Sequence, residues 1–198
     1  MTGEALLLLV VAVALIAAAI VVGVFLSRRR SARLRSQFGP EYDHAVAARG
    51  DRRSAEDDLE ARRRRVEELE LRELTPQERT ALTGRWEAVQ AGFVDRPEEA
   101  VLEADRLLAQ AMADRGYPRD HIQDGGRREE DLSVGYPAEI SHYREAAVIA
   151  DRSRRGEATT EELRRAMVHY RSLFESLVGA PAHAVPTAEV HQPAGVAR

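Results

Sequence analysis

An unbroken apolar run opens the chain, and strongly polar residues follow it without a transition. Residues 5–26 read "ALLLLVVAVALIAAAIVVGVFL", with no charged side chain and nothing more polar than Gly23. As an α-helix this run is about 33 Å long, which matches the hydrocarbon core of a bilayer. The pattern therefore predicts a transmembrane helix over residues 5–26.

The charges that flank this run differ on its two sides. Residues 1–4, "MTGE", hold one acid and no basic side chain. Five arginines follow the run, namely Arg28, Arg29, Arg30, Arg33 and Arg35. Arginine-rich flanks stay in the cytoplasm, so we expect residues 1–4 to be external and the body to be cytoplasmic, at a bacterial plasma membrane. A cleaved signal peptide has its basic residues before the apolar run, which is the reverse of the order found here. An exported body is the alternative topology.

The same five arginines are candidates for contact with lipid. Cationic side chains beside a membrane attract anionic headgroups by about 1 kcal/mol each. We therefore assign them both a topological and a lipid-contact role. No other site residues are assigned.

Residues 27–74 combine a basic juxtamembrane segment with a highly charged helical pattern. Gly39 and Pro40 are expected to break the first helix, with Pro40 starting the next. Beyond them the apolar positions are sparse and acid-arginine pairs such as Glu60 and Arg64 are dense. This composition predicts a largely exposed stalk or partner-facing helix, and the arginines of residues 62–65 are expected to lie on a solvated face.

Residues 75–178 show the apolar periodicity of a compact helical bundle. In "TPQE" the pattern predicts a capping box between Thr75 and Glu78, and Asp95 is the expected cap of the following helix. A stripe of apolar residues at helical spacing follows the first cap: Leu82, Trp86, Val89 and Phe93. The predicted fold is therefore all-α, with a transmembrane helix, a charged stalk and a small bundle.

The end of the bundle is marked by a second capping box. Thr159 and Glu162 open a last helix, and another helix is expected to begin at Pro137. Between the bundle helices, Gly125 and Gly126 are expected to interrupt a short helix. Residues 179–198 are rich in Ala, Pro and His and are expected to be disordered.

Composition excludes several classes of function. The chain has no cysteine, which excludes disulfides and thiolate metal ligands, and all of its 29 basic residues are arginine. From residue 36 onward it holds 24 arginines and 32 acids. An acidic body repels phosphate backbones, so nucleic acid is not an expected partner.

Two Glu-x-x-His pairs are the only pattern that suggests metal chemistry. They are Glu41 with His44 and Glu139 with His142. Carboxylate-bridged di-metal bundles use such pairs because residues i and i+3 share a helix face. With 22 glutamates and six histidines, chance alone gives between zero and one such pair, so two are unsurprising and no catalytic, cofactor or metal residue is assigned.

Six short strings resemble a group of uncharacterised small bacterial single-pass membrane proteins, often labelled hypothetical or secreted. They are "FGPEYD" (residues 38–43), "GDRR" (50–53), "FVDRP" (93–97), "RGYP" (115–118), "DLSV" (131–134) and "HYRSLF" (169–174). The resemblance covers roughly residues 37–178. The group has no assigned activity, so the resemblance implies a membrane protein and supplies no site residues.

The leading functional hypothesis is a membrane-anchored helical adaptor or scaffold that recruits a protein partner to the cytoplasmic face. It is motivated by the anchor, the charged helix and the lack of a catalytic motif. The alternatives are a metal-dependent or acid-base enzyme on the bundle, and an exported helical protein.

Overall fold

The computed structural model describes residues 3–180 of the chain, and over this range it contains nine α-helices and no β-strand. The predicted all-α class is confirmed. The predicted disordered tail lies outside the described residues from position 181 onward. The helices are α1 (Gly3–Phe38), α2 (Pro40–Arg49), α3 (Arg52–Glu67), α4 (Pro76–Gly92), α5 (Pro97–Asp114), α6 (Arg119–Gln123), α7 (Gly125–Gly135), α8 (Ile140–Arg154) and α9 (Thr160–Gly179).

Helix α1 is a single uninterrupted helix of 36 residues. Its segment Val10–Phe38 is long and apolar enough to cross a membrane, a property that signal sequences share, and its most apolar window is not buried against the rest of the protein. The predicted break is confirmed, because Gly39 has φ +49° and Pro40 occupies the first turn of α2.

The bundle is formed by α4, α5, α8 and α9, with α9 packed against both α5 and α8. The apolar stripe of α4 is buried as predicted at Leu82, Trp86 and Val89. The Trp86 ring stacks on the ring of Phe174 from α9, with centroids 4.7 Å apart. This stack joins the first and last helices of the bundle.

Both predicted capping boxes are confirmed, whereas the boundaries between them differ from prediction. The Thr75 and Thr159 side chains each accept the backbone N–H of a glutamate that bonds back to the cap. Asp95 is not the cap of α5, which begins after Arg96 with no side-chain cap bond. Gly125 and Gly126 do not interrupt a helix, because Asp124 accepts the N–H of Gly126 and caps α7 there.

The expectation of a largely exposed stalk is wrong. Helices α2 and α3 fold back on the end of α1 and bury a second apolar cluster, separate from the bundle core. Its buried members are Leu34, Phe38, Tyr42, Ala45, Ala55, Leu59, Val66 and Val134. The apolar positions are few, but they meet on one face because the chain reverses twice. We call α1 from residue 27 onward, together with α2 and α3, the proximal unit.

The segment between α3 and α4 ties the proximal unit to the bundle through the backbone. The N–H of Arg72 donates to the carbonyl of Arg115 over 2.9 Å. Gly116, with φ +99°, lies so close that a Cβ at this position would be 3.0 Å from the Glu70 carbonyl oxygen. Only glycine combines this backbone conformation with so close an approach.

Candidate functional site

The five juxtamembrane arginines do not form one free cluster. Arg30 bonds to Asp57 over 2.6 Å and to Glu60 over 2.9 Å, both on α3. Arg33 also pairs with Glu60, at 2.9 Å. Two of the five therefore hold α3 against α1, a role that the sequence analysis did not assign to them.

The remaining three arginines are exposed. The Arg29 guanidinium lies 4.4 Å from the centre of the Phe25 ring, and that of Arg35 lies 4.8 Å from the Tyr42 ring. Arg35 also approaches Asp43, at 3.8 Å. Arg28 makes no hydrogen bond or ion pair with any described residue. Cations available to an external anion are thus concentrated at the start of the polar part of α1.

A buried carboxylate lies beneath these arginines. Glu56 on α3 is 4% exposed and accepts hydrogen bonds from the Tyr42 hydroxyl, at 2.7 Å, and from the Ser31 hydroxyl, at 2.5 Å. Burial, together with the bond to Glu56, raises the pKa of the Tyr42 hydroxyl above its ordinary value, so this group stays a donor. The three side chains link α1, α2 and α3 at one point.

A second buried carboxylate connects the proximal unit to the bundle. Glu41 on α2 has a side chain that is only 1% exposed. It accepts two hydrogen bonds from Arg144 of α8, at 2.7 and 2.8 Å, and one from Arg62 of α3, at 3.2 Å. Arg144 also pairs with Glu129 of α7. A carboxylate so buried is tolerable only because both of its oxygens are paired.

Asp131 on α7 repeats this arrangement a short way along the same boundary. Its carboxylate is fully buried and accepts from Arg65, at 3.0 Å, and approaches Nδ1 of His121 to 2.8 Å. We call Glu41, Arg62, Arg65, Asp131 and Arg144 the ionic seam. The arginines of residues 62–65 are thus not a solvated face, because two of the four point into this seam.

The two Glu-x-x-His pairs do not converge on a common point. Both oxygens of Glu41 are occupied by arginines, and His44 is 3.8 Å away. Glu139 accepts from Ser176, while the His142 ring stacks on that of His169 with centroids 4.7 Å apart. Within residues 3–180 no group of three His, Cys, Asp or Glu side chains is arranged to hold a metal ion. This geometry gives the metal hypothesis no support.

A cleft of about 560 Å³ opens between α6, α7 and α8, and Asp105 of α5 and Tyr170 of α9 complete its lining. Arg128 on its wall donates to Asp105, at 2.5 Å, and to the Tyr143 hydroxyl, at 2.6 Å. Burial raises the pKa of Tyr143 to about 12, and burial also raises that of Tyr170, whose hydroxyl has no hydrogen-bond partner among the described residues. At neutral pH these two tyrosine hydroxyls are protonated hydrogen-bond donors, so neither of them is a general base for the cleft.

Several of these residues could not be identified from the sequence. Arg144 and Asp131 carry no local motif, and their partners lie 103 and 66 positions away. Glu41 was singled out, but for metal binding rather than for an ion pair. We find no family model, curated protein or solved structure that matches the chain. The resemblance noted above therefore stays a prediction.

Proposed function

We propose that the protein is a single-pass membrane protein whose helical body is an adaptor or scaffold for a protein partner at the cytoplasmic face of the bacterial plasma membrane. The observation that carries the proposal is the continuity of α1. Its apolar residues from Val10 to Leu26 are exposed, while Leu34 and Phe38 of the same helix are fully buried in the body. One helix therefore serves both as the anchor and as part of the core.

The anchor role follows from what is exposed. An isolated apolar helix of this length is costly in water, since each exposed Å² of apolar surface costs about 25 cal/mol. A lipid environment removes that cost. The arginines after Leu26 favour the cytoplasmic side for the body.

The way the body is held supports the adaptor role. Two apolar cores, the buried carboxylate of Glu56 and the ionic seam hold it together directly on the anchor. The buried carboxylates of Glu41 and Asp131 are paired with arginines, which suits a structural part better than a reaction centre. A rigid body on a membrane helix is suited to presenting a surface.

The test is photo-crosslinking in cells from exposed positions of the body. Val94, Val148 and Val168 are 85%, 60% and 55% exposed, and each can carry a crosslinking amino acid without disturbing the core. We expect one protein to be captured from at least one of these positions, and to leave the membrane fraction when this chain is deleted. Val13, in the apolar segment, is the control position.

Failure to enrich a partner from any body position contradicts the adaptor role. Orientation is tested separately by a reporter fused after Arg198. Fluorescence of a reporter that folds only in the cytoplasm supports the proposed side, and activity of one that requires export overturns it.

A further inference from the structure

We propose that the turn between α2 and α3 is a second membrane-contact element, and that Arg52 and Arg53 form with Arg28 and Arg29 one composite surface for an anionic bilayer. This inference rests on the proposed membrane anchoring. The expected surface of five arginines within residues 28–35 is thereby replaced by one assembled from two separate segments of the chain.

The contacts between α1 and α3 show where the α2–α3 turn lies along the axis of α1. Arg30 meets Asp57, and Ser31 meets Glu56. Further along both helices Arg33 meets Glu60, so α3 runs beside α1 in the same direction. The start of α3 therefore lies closer to the apolar segment of α1 than these contacts do.

Helical rise places the arginines of the turn. Arg53 is four residues before Asp57, which is about 6 Å along the axis of α3. Four residues before Arg30 on α1 is Leu26, the last residue of the apolar run. Arg53 therefore lies level with the end of the apolar run, and Arg52 is adjacent to it.

The direction of these side chains is set by the same contacts. Residues four apart share a helix face, so Arg53 projects on the face that Asp57 presents to Arg30. Arg29 similarly shares a face with Arg33, whose partner Glu60 belongs to α3. Arg29 and Arg53 thus lie on the same side of the proximal unit, and Arg28 and Arg52 are adjacent to them along the chain.

The charges at this level are mostly free of internal partners. Arg28 and Arg53 have no ion pair or hydrogen bond through their side chains in the described part of the chain, and Arg52 is held only loosely, 3.9 Å from Glu56. Asp51 is the one acid in the turn, and its carboxylate is directed to the N–H of Ser54. The turn therefore presents a net positive charge.

Charge complementarity favours anionic lipid headgroups as the ligand of this surface. The acidic remainder of the body repels polyanions approaching from solution, whereas the anchor holds these four arginines at the bilayer surface itself. Arg30 and Arg33, by contrast, are occupied by α3 and add little to headgroup binding.

The experiment uses the full chain in lipid vesicles. Since the protein has no cysteine, Ala48→Cys in the last turn of α2 introduces a unique site for a fluorophore beside the turn. In vesicles that mix phosphatidylglycerol and phosphatidylcholine, we compare quenching by a quencher on the anionic headgroup with quenching by one on the zwitterionic headgroup.

We expect quenching by the anionic lipid to exceed quenching by the zwitterionic lipid by roughly fivefold, which is the enrichment given by one cation at an anionic surface. Arg52→Gln with Arg53→Gln should lower this ratio clearly, although not to that of random mixing, because Arg28 and Arg29 remain at the surface. High salt should do the same, because at about 1 M the Debye length falls to roughly 3 Å.

The matched control is Arg79→Gln with Arg119→Gln, which removes the same charge from exposed arginines of α4 and α6 and should leave the ratio unchanged. If the ratio is near one in the unaltered protein, or is insensitive to Arg52 and Arg53, the composite surface is refuted while anchoring stands. If the protein does not float with vesicles of either lipid, anchoring is refuted and the surface with it.

Discussion

Arg144 of α8 donates two hydrogen bonds to Glu41 of α2, across 103 positions of the chain. This pair of hydrogen bonds spans more of the sequence than any other polar contact described between the proximal unit and the bundle. Since Glu41 is almost fully buried, this contact helps to fix the bundle against the proximal unit, alongside the backbone bond from Arg72 to Arg115.

Removing the charge of Glu41 should therefore destabilise the protein strongly. We expect Glu41→Gln to lower the free energy of unfolding by about 3 kcal/mol, because Arg144 and Arg62 lose their shared anion in a desolvated place. Urea denaturation in detergent micelles, followed by circular dichroism, measures this. Glu87→Gln is the control, an exposed carboxylate of α4 with no ion pair in the described residues. A loss no greater than that of the control contradicts the role of the seam.

All five tyrosines of the chain should resist ionisation. Burial raises the pKa of Tyr42, Tyr117, Tyr136, Tyr143 and Tyr170, in the case of Tyr143 to about 12. Groups with a raised folded pKa stabilise the protein fully below the unfolded value near 10, and that stability is lost as the pH rises through the folded value. Absorbance at the phenolate band should stay low at pH 10 and rise together with loss of helix. In denaturant the same band should titrate near 10.

The capping box of α9 should be visible in the titration of one glutamate. The backbone N–H of Thr159, the Arg152 guanidinium and the Thr159 hydroxyl lower the pKa of Glu162 to about 2. Stability from a depressed carboxyl pKa is present above the unfolded value and lost as the pH falls through the folded one. Carbon-detected nuclear magnetic resonance of the side-chain carboxyl should show this pKa.

Thr159→Ala removes one of these bonds and should raise the pKa of Glu162. It should also cost about 1 kcal/mol of stability, the usual value of an N-cap hydroxyl. Thr160→Ala, at the next position and without a cap role, is the matched control. An equal effect of the two substitutions would show that the capping box is not formed.

Gly116 should be intolerant of any side chain. Its φ of +99° is unfavourable for other residues, and a Cβ would approach the Glu70 carbonyl oxygen to 3.0 Å. We expect Gly116→Ala to destabilise by more than about 1 kcal/mol. Gly84→Ala, in the middle of α4 with open space around it, should instead be neutral or stabilising. Thermal unfolding of the two variants gives the comparison.

Features determined within a few residues of sequence were predicted correctly. The Thr75 and Thr159 capping boxes, the break at Gly39 and the buried stripe with Trp86 depend on neighbours along one helix. The fold-back of α2 and α3 could not be predicted in the same way. Its apolar residues are too sparse to suggest a core until α1 and α7 supply Leu34, Phe38 and Val134.

The charges of the candidate site were misjudged for a related reason. Arg30 and Arg33 look free beside the apolar run, and Arg62 and Arg65 look solvated among glutamates. All four have partners that tertiary packing supplies, and only Arg62 also pairs at the i,i+4 spacing that the sequence displays, with Asp58. The prediction that Asp95 caps α5 is wrong because α5 begins at Pro97, whereas a helix capped by Asp95 would begin one residue earlier.

The lack of a hinge in α1 has a mechanical consequence. A helix that passes from the apolar segment into the apolar core without a break transmits its own inclination to everything attached to it. In a thinner bilayer such a helix tilts further from the membrane normal, and the bundle would move closer to the headgroups as a result. The orientation of the body would then report the thickness of the surrounding membrane.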